Sequence, residues 1–147
     1  MTGSVLVKRL DPRAKLPVYG SPDAAGADLY ALTAGPVAIP PGRTALIHTG
    51  LALAIPRGYV GLVCARSGLA SKEGLAPANK VGVIDADYRG ELMVALHNHS
   101  REERVVEDGQ RVAQLVVVPY LSARFAPAEE LEDTQRGSGG FGSTGAR

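Results

Sequence analysis

The chain has 147 residues, of which 45% are hydrophobic and 21% are charged, and its formal net charge is +1. This length fits one domain, and the balanced charge gives no sign of a nucleic-acid groove. The single cysteine, Cys64, excludes an internal disulfide and favours a reducing compartment. Uncharged stretches such as residues 44–56 are all shorter than the ~20 apolar residues of a membrane span. The composition therefore predicts a soluble, cytoplasmic protein.

Eighteen glycines and ten prolines divide the chain into short segments that predict β-strands. These segments are rich in β-branched or apolar residues and end at turn sequences such as PPG, PRG and EDG. They cover residues 4–10, 37–39, 44–55, 59–65, 91–98 and 112–120. Large and small side chains alternate over residues 51–55, which is typical of a half-buried strand. Many short strands at near-regular spacing predict an all-β sandwich or barrel, with a jelly roll as a good candidate.

One segment, ARSGLASKEGL, predicts a single short helix of about two turns. Ser67 can cap the start of this helix, and Gly74 can end it. Arg66 stands just before the start, where free backbone N–H groups and a guanidinium can bind an anion together. We interpret this stretch as a phosphate site. The alternative is a capped surface helix with an incidental arginine.

The segment NKVGVIDADYRGE, residues 79–91, carries a group of acidic side chains. Asp85 and Asp87 are two residues apart, so an extended backbone would place both on one face. Acidic residues in a turn are most often only solvated, but Asn79 precedes them and offers an amide that can read a base edge. A further acid, Asp28, lies in the similar apolar setting AGADLYA near the N-terminus. These groups are candidates for a nucleotide site.

Two other features of the sequence have simple interpretations. His97 and His99 have a spacing that can bind a metal, but no third ligand is apparent, so we interpret them as ordinary strand-end residues. Cys64 is interpreted as a small buried apolar group.

The chain ends in RGSGGFGSTGAR, residues 136–147. Ordering some ten residues costs on the order of 10 kcal/mol or more, and this stretch has no apolar face to bury. The sequence therefore predicts a tail without fixed structure in the free protein.

Five segments together resemble the five ordered motifs of the trimeric deoxyuridine triphosphate nucleotidohydrolases. They are AGADLYA, ARSGLA, NKVGVIDADYRGE, DGQRVAQL and RGSGGFGSTG, at residues 25–31, 65–70, 79–91, 108–115 and 136–145. Gln110 departs from the family pattern, where an acid is frequent, and Cys64 precedes the second motif; neither position bears on the chemistry. The resemblance implies a jelly-roll-like distorted β-barrel over residues 1–135 with one short helix. It also implies a flexible, glycine-rich C-terminal lid over residues 136–147.

The resemblance further implies hydrolysis of dUTP to dUMP and pyrophosphate, which keeps uracil out of DNA and supplies dUMP for thymidylate synthesis. Asp85 would orient the water that attacks the α-phosphorus and accept its proton as the bond forms. Mg²⁺ would be the cofactor, held mainly by the substrate phosphates, with Asp28 binding its water ligands. The family forms homotrimers with shared active sites, in which the lid reaches over from a neighbouring chain. Neither a nucleic acid nor a membrane is implied as a partner.

The substrate-binding residues implied by the resemblance fall into two groups. The phosphates would be bound by Arg66, Ser67, Gly68, Gln114, Arg136, Gly140, Ser143 and Thr144. Uracil and deoxyribose would be bound by Asn79, Gly82, Ile84, Asp85, Tyr88, Met93 and Phe141. In the second group, Asn79 would bond the uracil edge and Phe141 would stack on the ring. Tyr88 would lie under the sugar and exclude a ribose 2′-hydroxyl.

Two alternatives stay open at this point. A dCTP deaminase has the same architecture and a similar arginine–serine motif, but its acid/base glutamate would fall at Ala95, which cannot move a proton. A β-trimer that only senses nucleotides or is purely structural should lack Asp85, Arg66 or the tail, and this chain has all three.

Overall fold

The computed structural model describes residues 3–145, which form eleven strands and one short helix. The strands are β1 Leu6–Arg9, β2 Val18–Tyr19, β3 Ala27–Tyr30, β4 Val37–Ile39, β5 Thr44–Ala54, β6 Tyr59–Cys64, β7 Leu75–Pro77, β8 Gly82–Ile84, β9 Glu91–Asn98, β10 Arg104–Val106 and β11 Arg111–Pro119. The helix, α1, spans Ser67–Glu73 between β6 and β7. Each of the six segments predicted as strands coincides with a strand to within two residues.

The strands form two larger sheets and one small ladder, all with antiparallel pairing. The sheet orders are β1-β5-β9-β7, β2-β3-β11-β6-β8 and β10-β4. Most neighbours in a sheet are not consecutive in sequence, as in a Greek-key or jelly-roll arrangement. The predicted jelly-roll-like barrel is therefore confirmed.

An apolar core fills the space between the sheets. Its largest fully buried apolar side chains are Leu29, Ile39, Ile47, Leu51, Leu75, Leu92, Leu96, Val94, Val106 and Val112. Strand β9 shows the underlying pattern, because every second residue from Leu92 is buried while Met93, Ala95 and His97 face outward. The outer face of β9 is thus free to form part of a site.

The prediction of a half-buried strand over residues 51–55 is wrong. Residues 51–53 are all buried, including the small side chain between the two leucines. Neighbouring chain segments cover this part of β5: a side chain at Gly50 would meet Leu32 and Ala14. Gly50 also has a φ of +69°, which favours glycine.

Helix α1 ends as predicted but begins one residue earlier. Gly74 adopts the left-handed conformation with a φ of 70°, and its N–H donates to the Ala70 carbonyl at 3.1 Å. At the start, Arg66 occupies the N-cap position because its carbonyl already accepts the N–H of Ala70 at 2.9 Å. The predicted cap by Ser67 is therefore wrong: Ser67 is the first helical residue, and no side chain caps the helix.

Asn98 ties together three parts of the barrel and is fully buried. Its Nδ2 donates to the carbonyls of Ile39 and Glu102 at 2.8 Å each, and its Oδ1 accepts the Ser100 N–H at 2.9 Å. We expect Asn98→Ala to lower the free energy of unfolding by about 3 kcal/mol, because it leaves buried backbone groups unpaired. Urea unfolding measures this loss. Asn79→Ala, which removes an exposed amide, is the matched control and should change stability by less than about 0.5 kcal/mol; equal effects would contradict the prediction.

An arm follows the last strand. Residues 120–145 contain turns and bends but no helix or strand, and no hydrogen bond joins residues 124–145 to the described part of the barrel. The large apolar side chains of the arm are strongly exposed: Leu121, Phe125, Leu131 and Phe141. The absence of fixed structure stays a prediction. Among residues 3–145 there is no helix with the length and apolar character of a membrane span.

Candidate active site

A pocket of about 250 Å³ lies between the edge strands β7 and β8 and the outer face of β9. It brings together six of the seven residues predicted to bind uracil and deoxyribose, namely Asn79, Gly82, Ile84, Asp85, Tyr88 and Met93. Its remaining walls are largely apolar, formed by Leu46, Val63, Pro77, Val83, Val94 and Ala95, with Glu91 at one end. Apolar walls with a few polar groups are typical of a site for a small organic ring.

The tight turn between β7 and β8 places Asn79 at this pocket. Lys80 adopts a φ of 66°, and its N–H donates to the Pro77 carbonyl at 3.0 Å. Gly82 follows at a close approach, because a side chain there would come within 3.1 Å of Val63 and 3.3 Å of the Asn79 amide. Glycine at this position therefore keeps the amide and the pocket accessible.

A second turn carries Asp85. The N–H of Tyr88 donates to the Asp85 carbonyl at 3.1 Å, and Arg89 Nη1 donates to the carbonyls of Ala86 and Tyr88 at 2.7 and 3.0 Å. The prediction that Asp85 and Asp87 share one face of an extended segment is therefore wrong, because the chain reverses here between β8 and β9. Asp85 lines the pocket, whereas Asp87 lines only the adjacent cavity.

The ring of Tyr88 is held at the mouth of the pocket. Its hydroxyl donates to the Glu91 carbonyl at 2.9 Å. Any side chain at Gly90 would collide with the ring, since a Cβ there would lie 2.5–2.9 Å from three Tyr88 atoms. The ring is thus held by a hydrogen bond at its tip, and the glycine beside it leaves room for the ring in this position.

A separate cluster forms where three strands of the larger sheet meet. Arg66 Nε donates to Asp28 Oδ1 at 2.9 Å, and Arg111 Nη1 lies 3.3 Å from Asp28 Oδ2. The Asp28 side chain is only 13% exposed, so two guanidinium groups balance a largely buried carboxylate. Gln114 Nε2 donates to the Ala65 carbonyl at 2.9 Å and lies opposite Asp28 in the β3–β11 ladder. Residues from three of the quoted segments thus converge on one surface.

The structure does not bring this cluster to the pocket. Beside the cluster lies a cavity of about 440 Å³, and it shares no lining residue with the pocket that contains Asp85. Arg66 and Gly68 line it, and Ser67 is exposed at the helix start. Within one chain, the residues predicted to bind phosphate and those predicted to bind the base are therefore in separate places.

The predicted site residues of the tail make only local hydrogen bonds in residues 3–145. Arg136 Nε donates to the Gly139 carbonyl at 2.8 Å, and the Ser143 N–H donates to the Gly140 carbonyl at 3.0 Å. Phe141 is fully exposed. None of the three cavities described above is lined by these residues or by Thr144, and residues 146 and 147 lie outside the described part.

No group of three His, Cys, Asp or Glu side chains that could hold a metal ion occurs within residues 3–145. Asp28 is the carboxylate at the arginine cluster, and both of its oxygens already face guanidinium groups. Mg²⁺ usually keeps several water ligands and uses few protein carboxylates. The residues present therefore fit an ion that is bound mainly by phosphate oxygens; a contact between Asp28 and its water ligands stays a prediction.

His97, in β9, and His99, just after the end of β9, contact each other edge to face. Their ring centroids are 4.4 Å apart, and His97 Nδ1 lies 2.8 Å from Thr44 Oγ1. Burial, then the charges of Lys80 and His97, lower the pKa of His99. Their interpretation as ordinary strand-end residues stays a prediction. Cys64 is only half-buried, contrary to the sequence-based interpretation, because Val63 takes the inward position at this end of β6.

Three residues near the predicted site were not identified from the sequence: Arg111, Glu91 and His48. Arg111 lies in the same quoted segment as Gln114, so the segment itself was a signal, but nothing in the sequence indicates its pairing with Asp28. Glu91 closes the NKVGVIDADYRGE segment, and its carboxylate lies 2.9 Å from His48 Nδ1. His48 is 43 residues away in the sequence, and no local pattern links the two.

The fold is a jelly-roll barrel. One part of its surface holds a small pocket lined by the Asp85 carboxylate, and a separate part holds the arginine cluster around Asp28. These features together are typical of the class of nucleotide-binding β-barrel proteins. The chain belongs to the dUTPase family, whose model matches residues 12–145. The resemblance carried by the five ordered motifs is therefore confirmed.

Curated relatives agree over nearly the full length. The deoxyuridine 5′-triphosphate nucleotidohydrolase of Syntrophotalea carbinolica is 51% identical over 144 residues, covering 98% of each chain. That of Desulfitobacterium hafniense is 54% identical over 138 residues, covering 93% of this chain and 91% of the relative.

Solved structures show the same fold. A mutant dUTPase of Staphylococcus bacteriophage 80alpha with dUpNHpp has a TM-score of 0.85 and 32% identity, covering 99% of this chain and all of that chain. A mutant dUTPase from phage phi11 of S. aureus, described with a coordinated structural Mg(II) ion, has a TM-score of 0.80 and 29% identity. It covers 89% of this chain and all of that chain.

Proposed function

We propose that the chain hydrolyses dUTP to dUMP and pyrophosphate, with Asp85 as the catalytic residue. Membership of the dUTPase family supports this reaction. The observation that carries the proposal is the single pocket that holds Asn79, Asp85 and Tyr88 together, with an amide, a carboxylate and an aromatic ring on its walls. The reaction would keep uracil out of DNA and supply dUMP for thymidylate synthesis. A cytoplasmic location stays a prediction.

In the proposed mechanism, the Asp85 carboxylate orients a water molecule toward the α-phosphorus. The carboxylate is too weak a base to remove the proton beforehand, so it accepts the proton while the new P–O bond forms. The bond from the α-phosphorus to the bridging oxygen breaks, and pyrophosphate leaves. Most of the rate comes from holding the triphosphate in line and neutralising its charge. Arg66, Ser67, Gly68 and Gln114 are proposed to do this.

Selectivity is proposed to follow from the pocket. The Asn79 amide would bond the uracil edge, and cytosine would leave buried polar groups unpaired, which is a strong form of rejection. Gly82, Ile84 and Met93 would enclose the base. The fixed ring of Tyr88 would lie against the sugar where a 2′-hydroxyl would project.

We infer that Mg²⁺ is the cofactor and that substrate phosphates hold it, with Asp28 contacting its water ligands. A bound ion would neutralise phosphate charge. The arginines beside Asp28 keep that carboxylate in place. The named Mg(II) ion of the phi11 phage protein supports a role for this metal in the family.

We infer that the chain acts as a homotrimer in which two subunits complete each site. The separation of the pocket from the arginine cluster within one chain supports this arrangement. Residues 136–147 are proposed as a lid that reaches a neighbouring site, with Phe141 over uracil. Arg136 would bind the γ-phosphate, and Gly140, Ser143 and Thr144 would wrap the triphosphate.

Mixing two inactive variants tests the shared site. Asp85→Asn and Arg66→Ala enzymes, unfolded and refolded together, should recover about a quarter of wild-type turnover, since random trimers join two intact halves at that fraction of boundaries. Each variant refolded alone is the control. If the mixture stays inactive although mixed trimers form, the shared site is wrong.

The reaction itself is tested with a substrate panel. Pyrophosphate release is measured for dUTP, dCTP, dTTP and UTP, each with and without Mg²⁺. We expect kcat/KM for dUTP to exceed the others by about 10² or more, and activity to fall when Mg²⁺ is removed. Ammonia released from dCTP would instead identify a deaminase, and no turnover with any nucleotide would favour a binding protein.

A further inference from the structure

Glu91, the first residue of β9, links the pocket to strand β5. Its Oε1 accepts the Gly50 N–H at 2.9 Å, and its Oε2 lies 2.9 Å from His48 Nδ1. Its own carbonyl accepts the Tyr88 hydroxyl at 2.9 Å. The Glu91 side chain is 24% exposed and that of His48 is 57% exposed. Glu91 therefore contacts Gly50 and His48 of β5 through its side chain and Tyr88 through its carbonyl. The Tyr88 ring is the one proposed to lie against the sugar.

The backbone ladder is interrupted at this corner of the pocket, just beyond the pairing of Glu91 with Ala52. The register between β5 and β9 shifts between His48 and Ala52, and Gly50 lies inside this irregularity with a positive φ. A bulge leaves a backbone donor without its usual ladder partner, and the Glu91 carboxylate accepts the N–H of Gly50. The side chain thus replaces a missing backbone bond between the two strands.

We propose that Glu91 is a positioning residue that sets the preference for deoxyribose over ribose by holding the acceptor of the Tyr88 hydroxyl in place. This inference rests on the proposed function. Without the carboxylate, Glu91 stays opposite Ala52 in the ladder but loses its contacts with Gly50 and His48, and we expect its carbonyl to shift. The hydrogen bond from the Tyr88 hydroxyl to this carbonyl is then weakened, so the ring can move and leave room for a 2′-hydroxyl.

His48 acts as the partner that orients the carboxylate. Its Nδ1–H can donate to Glu91 when the ring is neutral and also when it is protonated, so the link holds in either state. Because His48 lies mostly in solvent, it contributes less than the bond from Gly50. The proposal therefore predicts a smaller effect for His48 than for Glu91.

The test compares kcat/KM for dUTP and UTP in matched variants. Glu91→Ala should lower the preference for dUTP about tenfold or more. Glu91→Gln keeps an oxygen for Gly50 and a polar group for His48, so its preference should stay within about twofold of wild type. Glu102→Ala, which removes an exposed carboxylate from another loop, is the control and should change nothing.

A double mutant separates positioning from general loosening of the fold. Tyr88→Phe removes the hydroxyl that donates to the Glu91 carbonyl, so it should lower the preference on its own. Combining it with Glu91→Ala should add little, because both changes break one link. Additive losses would overturn the proposal.

The outcomes are distinguishable from failure of the proposed function. If wild type does not hydrolyse dUTP, the function itself is wrong. If wild type is active and a folded Glu91→Ala enzyme keeps its preference, the positioning role is overturned. Should Glu91→Ala not fold, His48→Ala decides: a preference lowered by more than about twofold supports the proposal, and a preference within about twofold of wild type overturns it.

Discussion

Replacing Asp85 by asparagine is expected to lower dUTP turnover by about 10²–10⁴-fold. Asparagine keeps the shape of the side chain and can still hold a water molecule, but it cannot accept the proton in the transition state. Asp85 is exposed at the pocket and its side chain has no described hydrogen bond to another residue, so we expect the melting temperature to stay unchanged. Pyrophosphate release measures turnover, and thermal unfolding checks the fold.

Asp87→Asn is the matched control, since it changes the same residue type in the same turn. Asp87 does not line the pocket, so this variant should keep turnover within about threefold of wild type. Equal losses in both variants would show that the turn, and not one carboxylate, is what matters. Hydrolysis in ¹⁸O-labelled water should place the label in dUMP; label in pyrophosphate would contradict attack at the α-phosphorus.

Deleting residues 136–147 is expected to lower dUTP turnover by about 10²-fold or more and to leave the barrel intact. The deletion removes Arg136 and Phe141, which are proposed to contact the γ-phosphate and uracil. The removed residues that the structure describes hydrogen-bond only to one another and to Thr134, so the barrel loses no bond to them. Steady-state kinetics and thermal unfolding measure the two effects.

Binding measurements provide the control for this deletion. If the lid closes only over a full triphosphate, the shortened enzyme should bind dUMP as wild type does, within about twofold. Its affinity for a non-hydrolysable dUTP analogue should fall by about tenfold or more. Unchanged turnover after deletion would refute the lid.

Much of the fold was predictable from glycine and proline, because these residues mark the ends of the longer strands. Five strands escaped prediction: β2, β3, β7, β8 and β10. Each has only two to four residues, which is too few to show a period of two; β1 and β4 are as short, but their β-branched and apolar residues between turn signals predicted them. Strand β8, for example, consists of three residues inside the NKVGVIDADYRGE segment, where the neighbouring acids were the stronger feature.

The pocket was more predictable than the rest of the site. Most of its polar residues lie within 13 consecutive positions, so one motif contains them, whereas the pairing of Asp28 with Arg111 spans 83 positions. The contact between Glu91 and His48 depends on a register shift that no local pattern encodes. The cap at Ser67 was misplaced because capping preference identifies suitable residue types but not the carbonyl at which helical bonding begins.

The arm after Pro119 has a consequence for how the enzyme responds to dilution. If residues 120–145 behave as a flexible tether, their root-mean-square span is about 28 Å, roughly twice the radius of gyration expected for a barrel of this size. A tether of that reach keeps its end near an adjoining subunit at an effective concentration in the millimolar range. Closure would then be independent of enzyme concentration for as long as the subunits stay assembled, and a severed tail peptide would need millimolar amounts to replace it.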